Sequence, residues 1–213
     1  MKAPISGSLA PLACTAPPWR SRRAGSGGWL AAVCAGVLAA VAAAVLASVS
    51  VAAAGPAVQA VPSVDLDRYA GRWYEIARYP NRFQQSCAGD VEVDYARRPD
   101  GRLRVVNQCR RADGSLDRAE GVAKLADAEG PASKLKVRFA PAFLSFIPAV
   151  WGNYWIIGLD PGYRWAVVGE PGRDYLWILS RAKTLDAHDY DEAVAAAVRN
   201  GYDPAKLVPT PQH

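Results

Sequence analysis

Beyond residue 70 the chain alternates. In Val91-Glu92-Val93-Asp94-Tyr95 the odd positions are apolar and the even ones acidic, the period-two signature of a strand with one buried face. Leu103 and Val105 continue it, with Arg104 on the opposite face. Runs of this kind cover Trp73 to Arg78, Val91 to Ala96, Leu103 to Cys109, Glu120 to Ala126, Lys134 to Phe139, Tyr154 to Leu159, Tyr163 to Gly169 and Tyr175 to Ser180. Pro99-Asp100-Gly101, Asp113-Gly114, Glu129-Gly130-Pro131, Asp160-Pro161-Gly162 and Glu170-Pro171-Gly172 separate them. Proline presets the first turn angle and glycine supplies positive φ, so these are turns with a mechanism. The spacing predicts an all-β fold: an eight-stranded antiparallel up-and-down barrel, closed on itself so that no edge is left.

The period changes at Asp186. Tyr190, Ala193, Val194, Ala197 and Val198 recur at helical spacing up to Asn200, and Gly201 follows as a C-cap. One amphipathic helix after eight strands is expected to pack on the outside of the barrel, with an extended tail to His213. The first sixty residues read differently. They carry Lys2, Arg20, Arg22 and Arg23 without any acidic residue, and Trp29 to Ala54 is uncharged. A basic start, an apolar run and small residues at its end describe an export signal, with A-x-A sites after Ala54 and after Ala60. The run is also long enough to span a bilayer, which needs about 20 residues. We therefore read 1–60 as an export signal or a membrane anchor and 61–213 as the barrel domain. The expected compartment is the periplasm, with attachment to the outer or inner membrane left open. Neither Cys14 nor Cys34 sits in a lipoprotein cleavage box.

Charge and chemistry narrow the function. The chain has 25 basic and 20 acidic residues, and the leader holds most of the excess, so the domain is almost neutral. A nucleic-acid partner loses its support. Only His188 and His213 are present, and neither has the partners a catalytic triad needs. No His/Cys cluster has metal-ligand spacing and no phosphate loop appears, so no enzyme activity, cofactor or metal is expected. Cys87 and Cys109 remain in the exported part. Their parity puts both sulfurs on one side near the open end of a hairpin, which predicts a disulfide; the alternative is two unpaired thiols.

Gly71-Arg72-Trp73-Tyr74-Glu75-Ile76-Ala77-Arg78 resembles the G-x-W signature that opens lipocalins, in their bacterial outer-membrane and apolipoprotein D form. Asp160-Pro161-Gly162-Tyr163 is similar to the second lipocalin signature, and Arg173 to Arg181 to the third, just ahead of the helix. Together they extend the resemblance from about Asp65 to Pro209. It implies a barrel closed at one end, with a lipophilic ligand inside. Fatty acids and lysophospholipids are the ligands it implies, carried or stored at the bacterial envelope. Two features depart from it: the missing lipobox cysteine, and an unusually apolar segment from Phe139 to Trp151.

Tyr175, Trp177, Leu179 and Arg181 share one strand face. The resemblance puts Arg181 at the closed end, where its guanidinium stacks on a plugging Trp73 beside Gly71. The expected ligand-binding residues are then Tyr175, Trp177 and Leu179, together with Tyr163, Trp165 and Tyr95. Trp165 is assigned inward, with Tyr163 and Val167, because that leaves Arg164 outside. The strand from Tyr154 to Leu159 is apolar on both faces and cannot be oriented by parity. Phe143, Phe146 and Trp151 are added at the mouth, although their loop could equally touch a membrane surface, form a dimer contact or fold over the outer wall. The expected state is monomer or homodimer. Two other readings stay open: a membrane-docking envelope protein with a filled barrel, and an enzyme acting on a bound lipid through Cys87 or His188.

Overall fold

The computed structural model describes residues 56–213. A one-turn helix, α1 (Leu66–Tyr69), leads into eight strands: β1 (Gly71–Arg78), β2 (Cys87–Arg97), β3 (Leu103–Arg111), β4 (Leu116–Leu125), β5 (Lys134–Arg138), β6 (Gly152–Leu159), β7 (Trp165–Gly169) and β8 (Leu176–Ser180). Each pairs antiparallel with the next, β8 pairs with β1, and β1 returns to β2, so the sheet closes. Helix α2 (Ala187–Arg199) packs outside, with Asp186 capping its first turn and Gly201 at φ 77° ending it. Among the described residues no helix is long and apolar enough to cross a membrane.

Two apolar clusters divide the wall by face. The inner one gathers Trp73, Val93, Tyr95, Leu103, Val105, Leu135, Ile156, Ala166, Val168 and Leu179. The outer one, between wall and helix, gathers Ala77, Ile157, Trp165, Val167, Leu176 and Ile178 with Ala193, Ala196 and Ala197 of α2. β6, β7 and β8 are thus buried on both faces. The inward assignment of Trp165 and Val167 is corrected here: both face α2, and Ala166 and Val168 face in. Arg164 misled the parity because it belongs to the turn before β7, where Asp160 and Asp189 pair with it.

Three features were not expected from the pattern. β1 carries an irregularity between Glu75 and Ala77: Glu75 pairs with Leu179 but Ala77 with Ile178. The extra residue reverses the facing of everything after it. Next, the tail forms a short strand, β9 (Val208–Pro209), on the end of β1. Its continuation fills the gap where β1 and β2 part: Thr210 N–H donates to Ile76 O, Asp90 N–H to Pro211 O, and Gln212 Nε2 to both Glu75 O and Val91 O. Finally, the packed unit starts upstream of residue 61. Val58 is buried against the helix side of the barrel, and Gln59 N–H donates to Asn200 Oδ1 at 2.7 Å.

Cys87 and Cys109 form a disulfide across β2 and β3, with Cα atoms 5.6 Å apart. β2 is irregular on the Cys87 side, where the register shifts twice, so the two cysteines meet without being direct cross-strand partners. Cys14 and Cys34 lie outside the described residues.

Candidate functional site

The closed end is set by β1 and α1. Trp73 is fully buried and its Nε1–H donates to Tyr69 O at 2.8 Å. The Arg181 guanidinium lies 3.9 Å from the Trp73 ring centre and donates to Arg72 O and Arg68 O, at 2.8 and 2.6 Å. Burial lowers the Arg181 pKa. Gly71 has φ 89° and sits 3.4 Å from Arg181 when a Cβ is added, so a side chain there would meet both strain and crowding. Tyr163 also belongs to this end. Its hydroxyl accepts from Asp65 N–H at 2.9 Å, and Arg68 stacks on its ring at 4.0 Å. It fastens the floor from the turn before β7, and its expected place beside a ligand is corrected.

Above the floor three tyrosines converge. Tyr154 Oη lies 2.7 Å from Tyr69 Oη and 2.6 Å from Tyr95 Oη. Burial raises all three pKa values, those of Tyr95 and Tyr154 well above the usual phenol. Three hydroxyls supply three protons and the two contacts use two. One donor therefore points away from the cluster, in which Tyr69 and Tyr95 are buried and Tyr154 partly so.

The upper half of the interior is polar on one side and apolar on the other. The β1 irregularity turns Arg78 inward, opposite Trp177. Glu75, 3% exposed, accepts from Arg78 Nη1 (2.9 Å), Thr210 Oγ1 (2.5 Å) and Gln84 Nε2 (2.6 Å). Gln84 comes down from the β1–β2 loop and its Oε1 accepts from Trp177 Nε1 at 3.0 Å. Tyr175 stacks on Trp177 with centres 5.9 Å apart, and Phe83 packs on Tyr175 at 5.6 Å. Across the barrel, Asn107 faces inward beside Val93, and Ala119 beside Asn107, yet both are exposed. An inward side chain reached by water means that the barrel is open at this level. Phe139 lies over Gly121, where a Cβ would come within 2.8 Å of its ring; glycine lets the ring lie against the wall.

The loop after β5 turns away from this space. Trp151 is held on the outer wall between Lys124 and Arg138, at 4.3 and 5.2 Å from its ring centre, and its Nε1–H donates to Ser145 O. Phe143 and Phe146 are 74% and 79% exposed. None of the three lines the interior, which corrects their expected role. The cations on the outward faces of β4 and β5 attract the Trp151 ring and draw the loop outward.

A family profile described as a lipocalin-like domain matches residues 64–212. The chain belongs to the lipocalin family. Temperature-induced lipocalin-1 of Arabidopsis thaliana is 43% identical over 73% of this chain and 83% of its own length. Outer membrane lipoprotein Blc of Escherichia coli K12 is 40% identical over 71% and 81%. Apolipoprotein D of Macaca fascicularis is 31% identical over 74% and 80%. Among solved structures, insecticyanin of the tobacco hornworm Manduca sexta superposes with a TM-score of 0.58 at 22% identity, covering 73% of this chain and 85% of that one.

In this lipocalin the structure brings Tyr95, Tyr175, Trp177 and Leu179 to the inner face and leaves Tyr163, Trp165, Phe143, Phe146 and Trp151 elsewhere. Sequence reasoning missed Glu75, Arg78, Gln84, Asn107, Phe139 and Tyr154. Only Asn107 carried a readable signal, being the next position after Leu103 and Val105 on their own face. Cys87 is oxidised and so offers no thiolate, and His188 is exposed on α2 beside Asp189.

Proposed function

We propose that this lipocalin carries or stores a single-chain lipid, a fatty acid or lysophospholipid, in the upper half of its barrel at the bacterial envelope. Lipocalins bind small hydrophobic ligands, and the observation that carries the reading here is the open inner wall between Tyr154 and the mouth. Its apolar side, where Trp177 and Val137 are only partly buried, suits an acyl chain. Each buried methylene contributes about 0.8 kcal/mol, so a long chain needs few polar contacts. Function is then binding and release, with no covalent step. Export is supported by the disulfide, by the basic start and uncharged apolar run of the leader and by the likeness to a relative named as an outer membrane lipoprotein.

The test is native mass spectrometry of the purified protein together with fluorescence titration by oleic acid and by lysophospholipid. A co-purified lipid, or saturable quenching of tryptophan, is the expected result. An empty protein that takes up neither would sink the proposal. Phe83, Phe143 and Phe146 stand exposed on loops of the open end, which favours a second reading, contact with a membrane surface during loading. Liposome flotation that survives F143S/F146S would count against it.

A further inference from the structure

Arg78 is the one charged side chain that the β1 irregularity turns into the barrel. Its guanidinium is half used. Nη1 donates to Glu75 Oε1 at 2.9 Å and to Thr210 Oγ1 at 3.0 Å. On the other edge, Nε is buried without an acceptor, and Nη2 makes no hydrogen bond among the described residues. Glu75 does not compete for that edge, because its carboxylate is already met by Arg78, Thr210 and Gln84. A guanidinium pinned by one edge and free on the other is oriented in advance. The free edge also has a known complement, two parallel oxygens. The same chain shows it: Arg104 uses Nε and Nη2 to hold both oxygens of Glu120, each at 2.7 Å.

We propose that the free Nε/Nη2 edge of Arg78 is an oxyanion subsite. It receives the carboxylate or phosphate of a single-chain amphiphile whose tail descends past Trp177 towards Tyr154. The headgroup then lies near the mouth, under the β1–β2 loop that Gln84 ties to Glu75 and Trp177. This rests on the lipid-carrying reading above and adds a headgroup class to it. Glu75 balances the guanidinium while the barrel is empty, which limits the preference for an anion to the gain from the two new hydrogen bonds, about tenfold to a hundredfold.

The experiment compares oleic acid with oleyl alcohol, and 1-oleoyl lysophosphatidic acid with monooleoylglycerol. Each is titrated into the protein purified from cells expressing the full sequence. The wild type is expected to favour the acid over the alcohol at least tenfold, and the E75Q/R78Q variant to bind both about equally. The anion with the larger preference shows whether carboxylate or phosphate is the better fit. Equal binding of acid and alcohol by the wild type would overturn the subsite and leave lipid carriage standing. So would a preference that persists in the double variant. Binding of neither would overturn both. Should the double variant not fold, nitrogen-15 spectra of arginine Nε in the wild type decide. Oleate, and not oleyl alcohol, is expected to shift the Arg78 signal (assigned with R78K), and no oleate-specific shift would overturn the proposal.

Discussion

Tyr154 joins Tyr69 and Tyr95, and the cluster titrates late. Burial raises these three phenols, so the folded state holds its protons above pH 10, where an unfolded chain would release them. Groups raised in this way contribute stability that is complete below the unfolded value and lost as pH rises towards the folded one. Stability is therefore expected to decline above about pH 10. Absorbance at 295 nm should show three of the nine tyrosines ionising only with unfolding. Removing the central hydroxyl in Y154F leaves two buried hydroxyls unpaired, with an expected cost of about 1–3 kcal/mol in urea denaturation. At this scale alternation revealed Tyr95, Trp177 and Leu179 because a strand covered on one face writes its facing into the sequence. It failed at Trp165, where α2 covers the outer face and both parities are apolar. It also failed at Arg78, where one extra residue in β1 inverts the pattern without leaving a mark.

Elements were easier to read than their irregularities. All eight strands and α2 follow from turn chemistry and periodicity, and the strand bounds differ mostly at their ends. α1 was missed because a single turn shows no helical period; its sign is Asp65, whose Oδ1 accepts from Asp67 N–H and Arg68 N–H. The β2–β3 hairpin carries the disulfide, which closes a loop of 22 residues. In the chain-entropy account its loss is worth about 3 kcal/mol, so C87S/C109S is expected to be less stable by that amount in urea denaturation while keeping lipid affinity. A variant as stable as the wild type would show that the hairpin holds itself. On the same strands Asp90, Asp117 and Glu120 have lowered pKa values through hydrogen bonds from Arg110, Arg111 and Arg104 respectively. Lowered carboxylates contribute stability above their unfolded value near pH 4, and it is lost as pH falls through the folded values. Melting temperature is thus expected to drop below about pH 4, and more steeply at low salt.

For the whole molecule, the packing of Val58 and Gln59 bears on processing. A cut after Ala60 would remove a buried valine, worth about 2 kcal/mol, and the Gln59–Asn200 hydrogen bond. A cut after Ala54 keeps both. On the proposed export reading, a cleaved leader is expected to leave Gly55 as the first residue, and N-terminal sequencing that returns Val61 would refute this. Barrel closure and the outside helix were legible as a plan, because eight amphipathic strands leave few ways to bury one face. The seam was not legible, since nothing in the local pattern of Val208 to His213 names its partners. That seam sets an order of events. Asp90 N–H is bonded to Pro211 O, and His213 N–H to Asp90 Oδ1 at 2.7 Å, so residues made after β8 and α2 complete the wall begun by the first strands. An emerging chain can form hairpins as it appears, but the barrel shuts only when β8 reaches β1, and the seam is filled later still, when the residues around Pro211 follow. A nascent protein threaded across a membrane would stay an open sheet until β8 arrives, and would keep a gap beside β1 until Pro211 does.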